Sequence, residues 1–110
     1  MMKMLIVLIK GQYQNITYVK TVTLDKIIDT LKSNIKLIKL ETEGAELEAL
    51  NGLINNIHKV EYITIDCGKE RGILKEETFQ PCDQFMKKNN FKLLNFRSNR
   101  TIAIYKNILF

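Results

Sequence analysis

The chain has 110 residues, which is enough for one small domain with its own core and too few for two. Its 45% hydrophobic and 26% charged residues are typical of a soluble globular protein. The net charge is +5, but the lysines form no stripe with aromatic residues, so we expect no nucleic-acid partner. Apolar residues 4–9 are too few to cross a bilayer or form a signal peptide, so we expect a cytoplasmic protein without a membrane partner.

Residues 1–23 predict an N-terminal β-hairpin. Residues 4–9 have the branched, apolar composition of a strand. After a polar connection, residues 16–24 alternate between two sides, which indicates a second strand that is half exposed.

A strand, an acidic turn and a helix are predicted near the middle of the chain. They follow a short helix that Thr23 or Asp25 can cap, with its apolar positions at Leu24, Ile27, Ile28 and Leu31. Residues 35–40 form a nearly continuous apolar run, the pattern of a strand inside a sheet. The run stops at Glu41, residues 42–44 form a tight turn, and strong helix formers predict a helix that reaches His58.

The second half predicts another strand, a helix and a terminal antiparallel pair. Residues 60–66 form the strand, which again closes on an acid, and residues 67–75 form a loop. A helix starts near Thr78, tolerates Pro81 in its first turn and stops at Asn89. The antiparallel pair is predicted at residues 91–96 and 101–105, on either side of residues 97–100.

Two motifs resemble the signature of the FkbM-type family of S-adenosylmethionine (SAM) dependent methyltransferases. They are Thr23-Leu24-Asp25 before a helix and Glu41-Thr42-Glu43-Gly44-Ala45-Glu46 after an apolar strand. The resemblance implies an α/β fold, namely the C-terminal half of a Rossmann-like methyltransferase, with a mixed and mostly parallel sheet, flanking helices and a terminal antiparallel hairpin. It also implies SAM as the cofactor.

The chain departs from the family pattern in two places. Glu41 stands where the family usually has aspartate, and the glycine-rich loop of the family's cofactor-binding half has no counterpart here. We therefore expect a single truncated domain over residues 1–110, with an N-terminal hairpin at 1–23 and an FkbM-like core at 24–110. No cofactor-binding residue is predicted within it.

Charged residues gather at one edge of the predicted sheet. The carboxyl ends of parallel strands share an edge, so Glu41 and Asp66 should lie together, with Glu43 just beyond them. The terminal hairpin brings Arg97 and Arg100 to the same edge. We predict that the three carboxylates are catalytic, with Glu41 the candidate base, and that the two arginines bind a sugar-like or other small acceptor. A divalent cation is another ligand that such carboxylates could hold.

Each of these residues also has a purely structural interpretation. Glu43 suits the first turn of a helix, as does Glu46, and Asp66 suits a strand-ending turn. Both arginines suit the solvated tip of a hairpin. His58 suits a helix C-terminus. Cys67, Cys82 and His58 lack the spacing of metal ligands, so no metal site is predicted from them.

Two functions from different classes follow. The first is O-methyl transfer to a hydroxyl, carried out together with a second chain that contains the cofactor half. Without such a chain, the protein would be a non-catalytic remnant of a methyltransferase. The second is a non-catalytic module for self-association or partner binding. We expect a homodimer in either case, because the strand at 35–40 would otherwise leave an apolar edge unpaired.

Overall fold

The computed structural model describes residues 20–71, 73–74, 76–97, 99 and 101–110. The predicted strand at residues 4–9, most of the predicted hairpin at 1–23, and Arg100 lie outside these residues. The helices and strands are α1 (Leu24–Ile28), β1 (Ile35–Leu40), α2 (Glu46–Asn51), a 3-10 helix (Ile57–Lys59), β2 (Val60–Asp66), β3 (Lys69–Arg71), β4 (Glu76–Glu77), α3 (Phe79–Lys88), β5 (Phe91–Arg97) and β6 (Ile102–Asn107).

Four strands form one sheet in the order β1-β2-β6-β5. β1 and β2 are parallel and are joined by a crossover that contains α2. β6 is antiparallel to both of its neighbours, so β5 runs in the same direction as β1 and β2. The expected α/β fold, with a mixed sheet and a terminal antiparallel pair, is confirmed.

The core lies on one face of this sheet. Burial alternates along β6, where Ala103 and Tyr105 are buried while Ile102, Ile104 and Lys106 are half-buried. Ile63 and Ile65 of β2 are fully buried on the same side. They belong to one hydrophobic cluster with Ala49 and Leu50 of α2 and with Cys82 and Met86 of α3. Burying each large apolar side chain contributes about 1.5–3 kcal/mol, so α2 and α3 are held mainly by this face.

One polar network crosses the core between α3 and the sheet. The hydroxyl of buried Tyr105 donates to Asp83 Oδ1 at 2.7 Å. Lys87 pairs with the other oxygen of the same carboxylate, also at 2.7 Å. Asp83 therefore fixes the distance between α3 and β6.

Thr23 and Asp25 have different structural roles at the start of α1. The Thr23 hydroxyl accepts a hydrogen bond from the backbone N–H of Lys26 at 3.1 Å, so Thr23 is the cap. The Asp25 carboxylate instead accepts the backbone N–H groups of Asn55 and Asn56, each at 3.0 Å. Asp25 is buried by these bonds and ties α1 to the segment that follows α2.

Two sequence-based expectations about the helices are wrong. α2 ends at Asn51, whereas a helix as far as His58 was expected. From Leu53 onward the backbone N–H groups bond three residues back instead of four, so the chain forms turns after Asn51. The N–H groups of residues 55 and 56 also bond to Asp25, and His58 lies exposed in the short 3-10 helix. The apolar face of α1 is also narrower than expected, because Ile28 is buried while Ile27 and Leu31 are each 46% exposed.

α3 and the terminal strands follow the prediction closely, whereas β1, expected inside a sheet, is an edge strand among the described residues. α3 starts after Thr78, contains Pro81 in its first turn and ends at Asn89. The loop predicted at residues 67–75 is only partly a loop, because β3 and β4 form a separate two-stranded hairpin. These strands have three and two residues, too short for periodicity in the sequence to predict.

Candidate functional site

The turn between β1 and α2 carries the acidic motif and has an unusual backbone. Glu43 has φ 51° and Gly44 has φ 109°. At Gly44 this conformation requires glycine, because a side chain at such a φ would be strained. Gly44 is also buried. The two positive φ angles reverse the chain at the carboxyl end of β1 and start α2 two residues later.

Glu46 holds this turn from inside the protein. Its side chain is 1% exposed. The carboxylate accepts hydrogen bonds from the backbone N–H of Thr42 at 2.9 Å, from the backbone N–H of Gly44 at 3.2 Å and from the hydroxyl of Thr78 at 3.0 Å. A buried carboxylate that accepts this many hydrogen bonds fixes the groups around it. Glu46 is therefore a structural residue, and it is more deeply buried than expected for an acid in the first turn of a helix.

The turn forms one wall of a small cavity at the carboxyl edge of the sheet. The cavity has a volume of about 180 Å³, and its lining is acidic: Glu41, Glu43, Gly44, Asp66 and Gly68. The three carboxylates predicted to be catalytic thus lie around one space. β1 and β2 are parallel and adjacent, which is why their terminal acids meet there.

The three acids differ in how they are held. Glu41 pairs with Lys39 at 2.9 Å, and both side chains are more than half exposed. Asp66 accepts a hydrogen bond from the Thr101 hydroxyl at 2.8 Å and is half-buried. Glu43 is exposed at the tip of the turn. Asp66 is therefore the fixed member of the set, while Glu41 and Glu43 are free to reorient toward a ligand.

Arg97 lies at the same edge but away from the cavity. In the sheet register Asp66 is opposite Ile102, and Ile102 is opposite Arg97. Adjacent strands are about 4.8 Å apart, so the Arg97 backbone is about 10 Å from that of Asp66. Arg97 is exposed and is absent from the described cavity lining. Arg100 lies outside the described residues, so its predicted role stays a prediction.

Among the described residues, no three His, Cys, Asp or Glu side chains are grouped so that they could hold a metal ion. The cavity does not fit SAM either. Its volume is below the 300–1,000 Å³ of typical small-molecule sites, so this cavity alone is too small for the whole of SAM. The residues present suit a small group with several hydroxyls.

The other candidate residues have structural roles. Cys67 and Cys82 are free and fully buried, and the Cys67 thiol points to the Ile65 carbonyl at 3.8 Å. A hydrogen bond with Cys67, together with burial, raises the pKa of the Cys82 thiol well above its ordinary range. A raised pKa disfavours the thiolate form of Cys82.

Fold and site together define a class of protein. A parallel strand–helix–strand unit with ligand-facing acids at its carboxyl edge is typical of open α/β sheets that bind small molecules. A family model, the methyltransferase FkbM domain, matches residues 6–93, which is about four fifths of the chain. The chain belongs to the FkbM methyltransferase family.

The match also bears on the extent of the family region. It starts at residue 6 and therefore includes most of the segment predicted as an N-terminal hairpin, and it ends within β5. No significant match was found among curated proteins or among solved structures. Among the described residues, no helix is long and apolar enough to cross a membrane.

Proposed function

We propose that this chain supplies the acceptor side of a SAM-dependent O-methyltransferase, while another polypeptide supplies the side that binds the cofactor. The observation that carries the proposal is the acidic cavity beside the family motif. Carboxylates accept hydrogen bonds from hydroxyl groups, and a cavity of about 180 Å³ suits one end of a sugar-like acceptor. If no such partner exists, the chain is a non-catalytic remnant with the same cavity.

Each acid has a proposed role at the acceptor. Asp66, fixed by Thr101, accepts a hydrogen bond from one acceptor hydroxyl and sets its orientation. Glu41, held only by an exposed pair with Lys39, turns toward the reacting hydroxyl and takes its proton. Glu43 accepts a hydrogen bond from a neighbouring hydroxyl. Arg97 and Arg100 bind the more distant part of the acceptor.

The proposal that the cofactor side comes from another polypeptide has two supports. The five glycines of the chain, at positions 11, 44, 52, 68 and 72, do not form a glycine-rich phosphate- or cofactor-binding loop. The acidic cavity, at about 180 Å³, is too small for the whole of SAM. With an acceptor cavity alone, the chain could bind a hydroxyl compound but could not methylate it.

The acceptor role can be tested by NMR on the isolated chain. A methyl glycoside is titrated while the carboxyl carbons of Glu41, Glu43 and Asp66 are observed. We expect saturating shift changes at these carbons, with a dissociation constant of about 10 mM, near −3 kcal/mol. Exposed Glu77 provides the internal control and should not respond. The proposal fails if the cavity carboxylates do not shift, or if they shift no more than Glu77.

A second candidate function is self-association, and the sheet supports it. In the described residues β1 pairs only with β2, so its outer edge has no partner strand. The edge includes Leu37, whose side chain is 53% exposed. Pairing two copies of β1 across a two-fold axis would satisfy both edges, so we propose a homodimer. We also propose a cytoplasmic location, since both cysteines are free thiols.

A further inference from the structure

Thr101 has a backbone conformation that is unfavourable for threonine. Among the described residues, the non-glycine residues with a positive φ are Glu43 at 51°, Asn90 at 67° and Thr101 at 57°. Asparagine adopts such angles more readily than other residues, and Asn90 is exposed just after α3. Threonine is branched at Cβ, so the left-handed backbone at Thr101 is strained. Such strain persists only where surrounding contacts hold the residue, and it is concentrated at functional sites.

Two hydrogen bonds join Thr101 to the end of β2, beside the acidic cavity. Thr101 lies between β5 and β6, directly before the first residue of β6. Its hydroxyl donates to Asp66 Oδ1 at 2.8 Å. Its carbonyl accepts the backbone N–H of Cys67 at 2.7 Å. Asp66 and Gly68 both line the cavity, so the two bonds fix the segment that forms the β2 side of the cavity.

The two bonds place different demands on residue 101. The bond from the Cys67 N–H reaches a backbone carbonyl, which any residue provides. Glycine would provide the same carbonyl without strain, because it adopts a positive φ as readily as a negative one. The bond to Asp66 needs a side-chain hydroxyl, and threonine supplies it from a strained backbone. The hydroxyl therefore distinguishes Thr101 from the residue that this backbone conformation favours.

We propose that Thr101 is a positioning residue for the acceptor, which holds Asp66 Oδ1 so that Asp66 Oδ2 receives the hydrogen bond from the acceptor hydroxyl. This role rests on the proposed function of the acidic cavity and adds to it a residue outside the described lining. An ionised carboxylate accepts at both oxygens, so the protein can hold one oxygen while the other binds a ligand. Because Asp66 is fixed beforehand, acceptor binding does not have to order its side chain.

A purely structural role for the Thr101 hydroxyl predicts a different result from a positioning role. If the hydroxyl serves only to hold the β5–β6 connection against β2, its loss lowers the stability of the protein. If it positions Asp66, the variant Thr101→Gly removes the backbone strain together with the bond, so stability is largely kept while acceptor binding is weakened. We expect the melting temperature of Thr101→Gly to change by less than about 4 °C.

The test uses NMR on the whole chain, with a methyl glycoside as the acceptor. Three-bond couplings between Hα and Hβ of Asp66 should show one rotamer in the unaltered chain and an average over rotamers in Thr101→Gly. The dissociation constant for the glycoside, about 10 mM in the unaltered chain, should rise about fivefold in Thr101→Gly. Thr101→Ser keeps the hydroxyl, so it should retain both the single rotamer and the affinity.

Asn90→Gly is the matched control, because it replaces another residue with positive φ at the opposite end of β5. It should change neither the Asp66 couplings nor the affinity. The role of Thr101 is overturned if the unaltered chain binds the glycoside and Thr101→Gly binds it equally well, or if Thr101→Ser loses the affinity. A fall of more than about 4 °C in the melting temperature of Thr101→Gly would also overturn it. If the unaltered chain shows no saturation, the proposed function fails, and this role fails with it.

Discussion

Glu46 connects three parts of the chain through one carboxylate. It accepts hydrogen bonds from Thr42 and Gly44 in the acidic turn and from Thr78 at the start of α3. Removing the carboxylate leaves buried donors unpaired, and each such donor costs about 1–3 kcal/mol. We expect Glu46→Ala to lower the free energy of unfolding by about 3 kcal/mol, measured by urea denaturation.

The control for Glu46 is Glu77→Ala. Glu77 is exposed, so its loss should change stability by less than about 0.5 kcal/mol. Glu46→Gln keeps one acceptor oxygen and should fall between the two. A Glu46→Ala protein as stable as the Glu77→Ala protein would show that the carboxylate does not hold the turn.

Glu41 should behave in the opposite way. It shares the cavity with Glu43 and Asp66, and mutual repulsion among carboxylates costs stability at neutral pH. Its exposed pair with Lys39 contributes little. We expect Glu41→Gln to leave the melting temperature unchanged or to raise it. A fall of more than about 4 °C, roughly 1 kcal/mol for a domain of this size, would mean that Glu41 is structural.

Tyr105 and Cys82 predict how stability depends on alkaline pH. Burial, followed by the hydrogen bond to Asp83, raises the pKa of Tyr105 well above its ordinary value of 10.0. The pKa of Cys82 is raised above its ordinary 9.0. In the unfolded chain both groups lose protons from about pH 9–10 upward, while the folded protein keeps them. The free energy of unfolding should therefore fall as pH rises through this range, by up to about 1.4 kcal/mol per pH unit for each group.

Tyr105→Phe isolates one of these contributions. The variant should have a shallower decline between pH 9 and pH 11 in urea unfolding, because it has no phenol to deprotonate. At pH 7 it should be about 1–2 kcal/mol less stable, since the bond to Asp83 is lost. An equally steep decline in both proteins would contradict the assignment.

For individual residues, the sequence predicted which acids lie together at the edge of the sheet. It did not predict which side chain fixes the turn that carries them. Glu41, Glu43 and Asp66 could be placed at one edge because strand ends and the family motif are local features. The anchoring role of Glu46 was missed because its burial depends on Thr78, which lies 32 residues away in the sequence. The only signal in the sequence is an acid two residues after a glycine, which is weak without the fold.

Among the elements, Asp25 ties α1 to the turns that follow α2. Its carboxylate accepts three hydrogen bonds, from the N–H groups of Asn55 and Asn56 and from the Asn56 side chain. An amide at this position offers only one acceptor oxygen. We expect Asp25→Asn to lower the free energy of unfolding by about 2 kcal/mol, because hydrogen bonds to a charged group contribute about 1.5–3 kcal/mol.

Asp29→Asn is the matched control for Asp25. Asp29 is exposed and accepts one bond from the Asn56 side chain, so its substitution should cost less than about 1 kcal/mol. Equal losses in the two variants would show that the bonds to Asp25 hold these turns no more strongly than the bond to Asp29. The length of α2 could not be predicted from the sequence, because local helix propensity continues past Gly52 while the turns after Asn51 are held by contacts with residue 25.

For the whole molecule, the outer edge of β1 is the feature that bears on self-association. β1 has an unpaired outer edge among the described residues, and we expect it to pair with a second copy. Light scattering coupled to size exclusion at micromolar concentration should give a dimer. Leu37→Lys, which places a charge on this edge strand, should give monomers, whereas exposed Leu109→Lys should not. A monomer in the unaltered chain would exclude self-association through β1.

The fold class was predictable because the alternation of strands, helices and turns is local, and the family motif marks the central unit. The face of the sheet that α2 and α3 cover was not predicted. Ile102 and Ile104 read as ordinary strand residues until the structure shows that α2 and α3 both lie on the opposite side. Which face a helix covers depends on packing across the whole sheet.

Titration calorimetry with SAM tests the central proposal most directly, namely that the acidic cavity takes the acceptor and that another polypeptide binds the cofactor. The glycines of the chain form no glycine-rich cofactor-binding loop, so we predict no saturable heat at about 100 μM protein. Glu41→Gln should not change this result. A dissociation constant below about 10 μM, near −7 kcal/mol, would contradict the account, because the chain would then bind the cofactor without a partner.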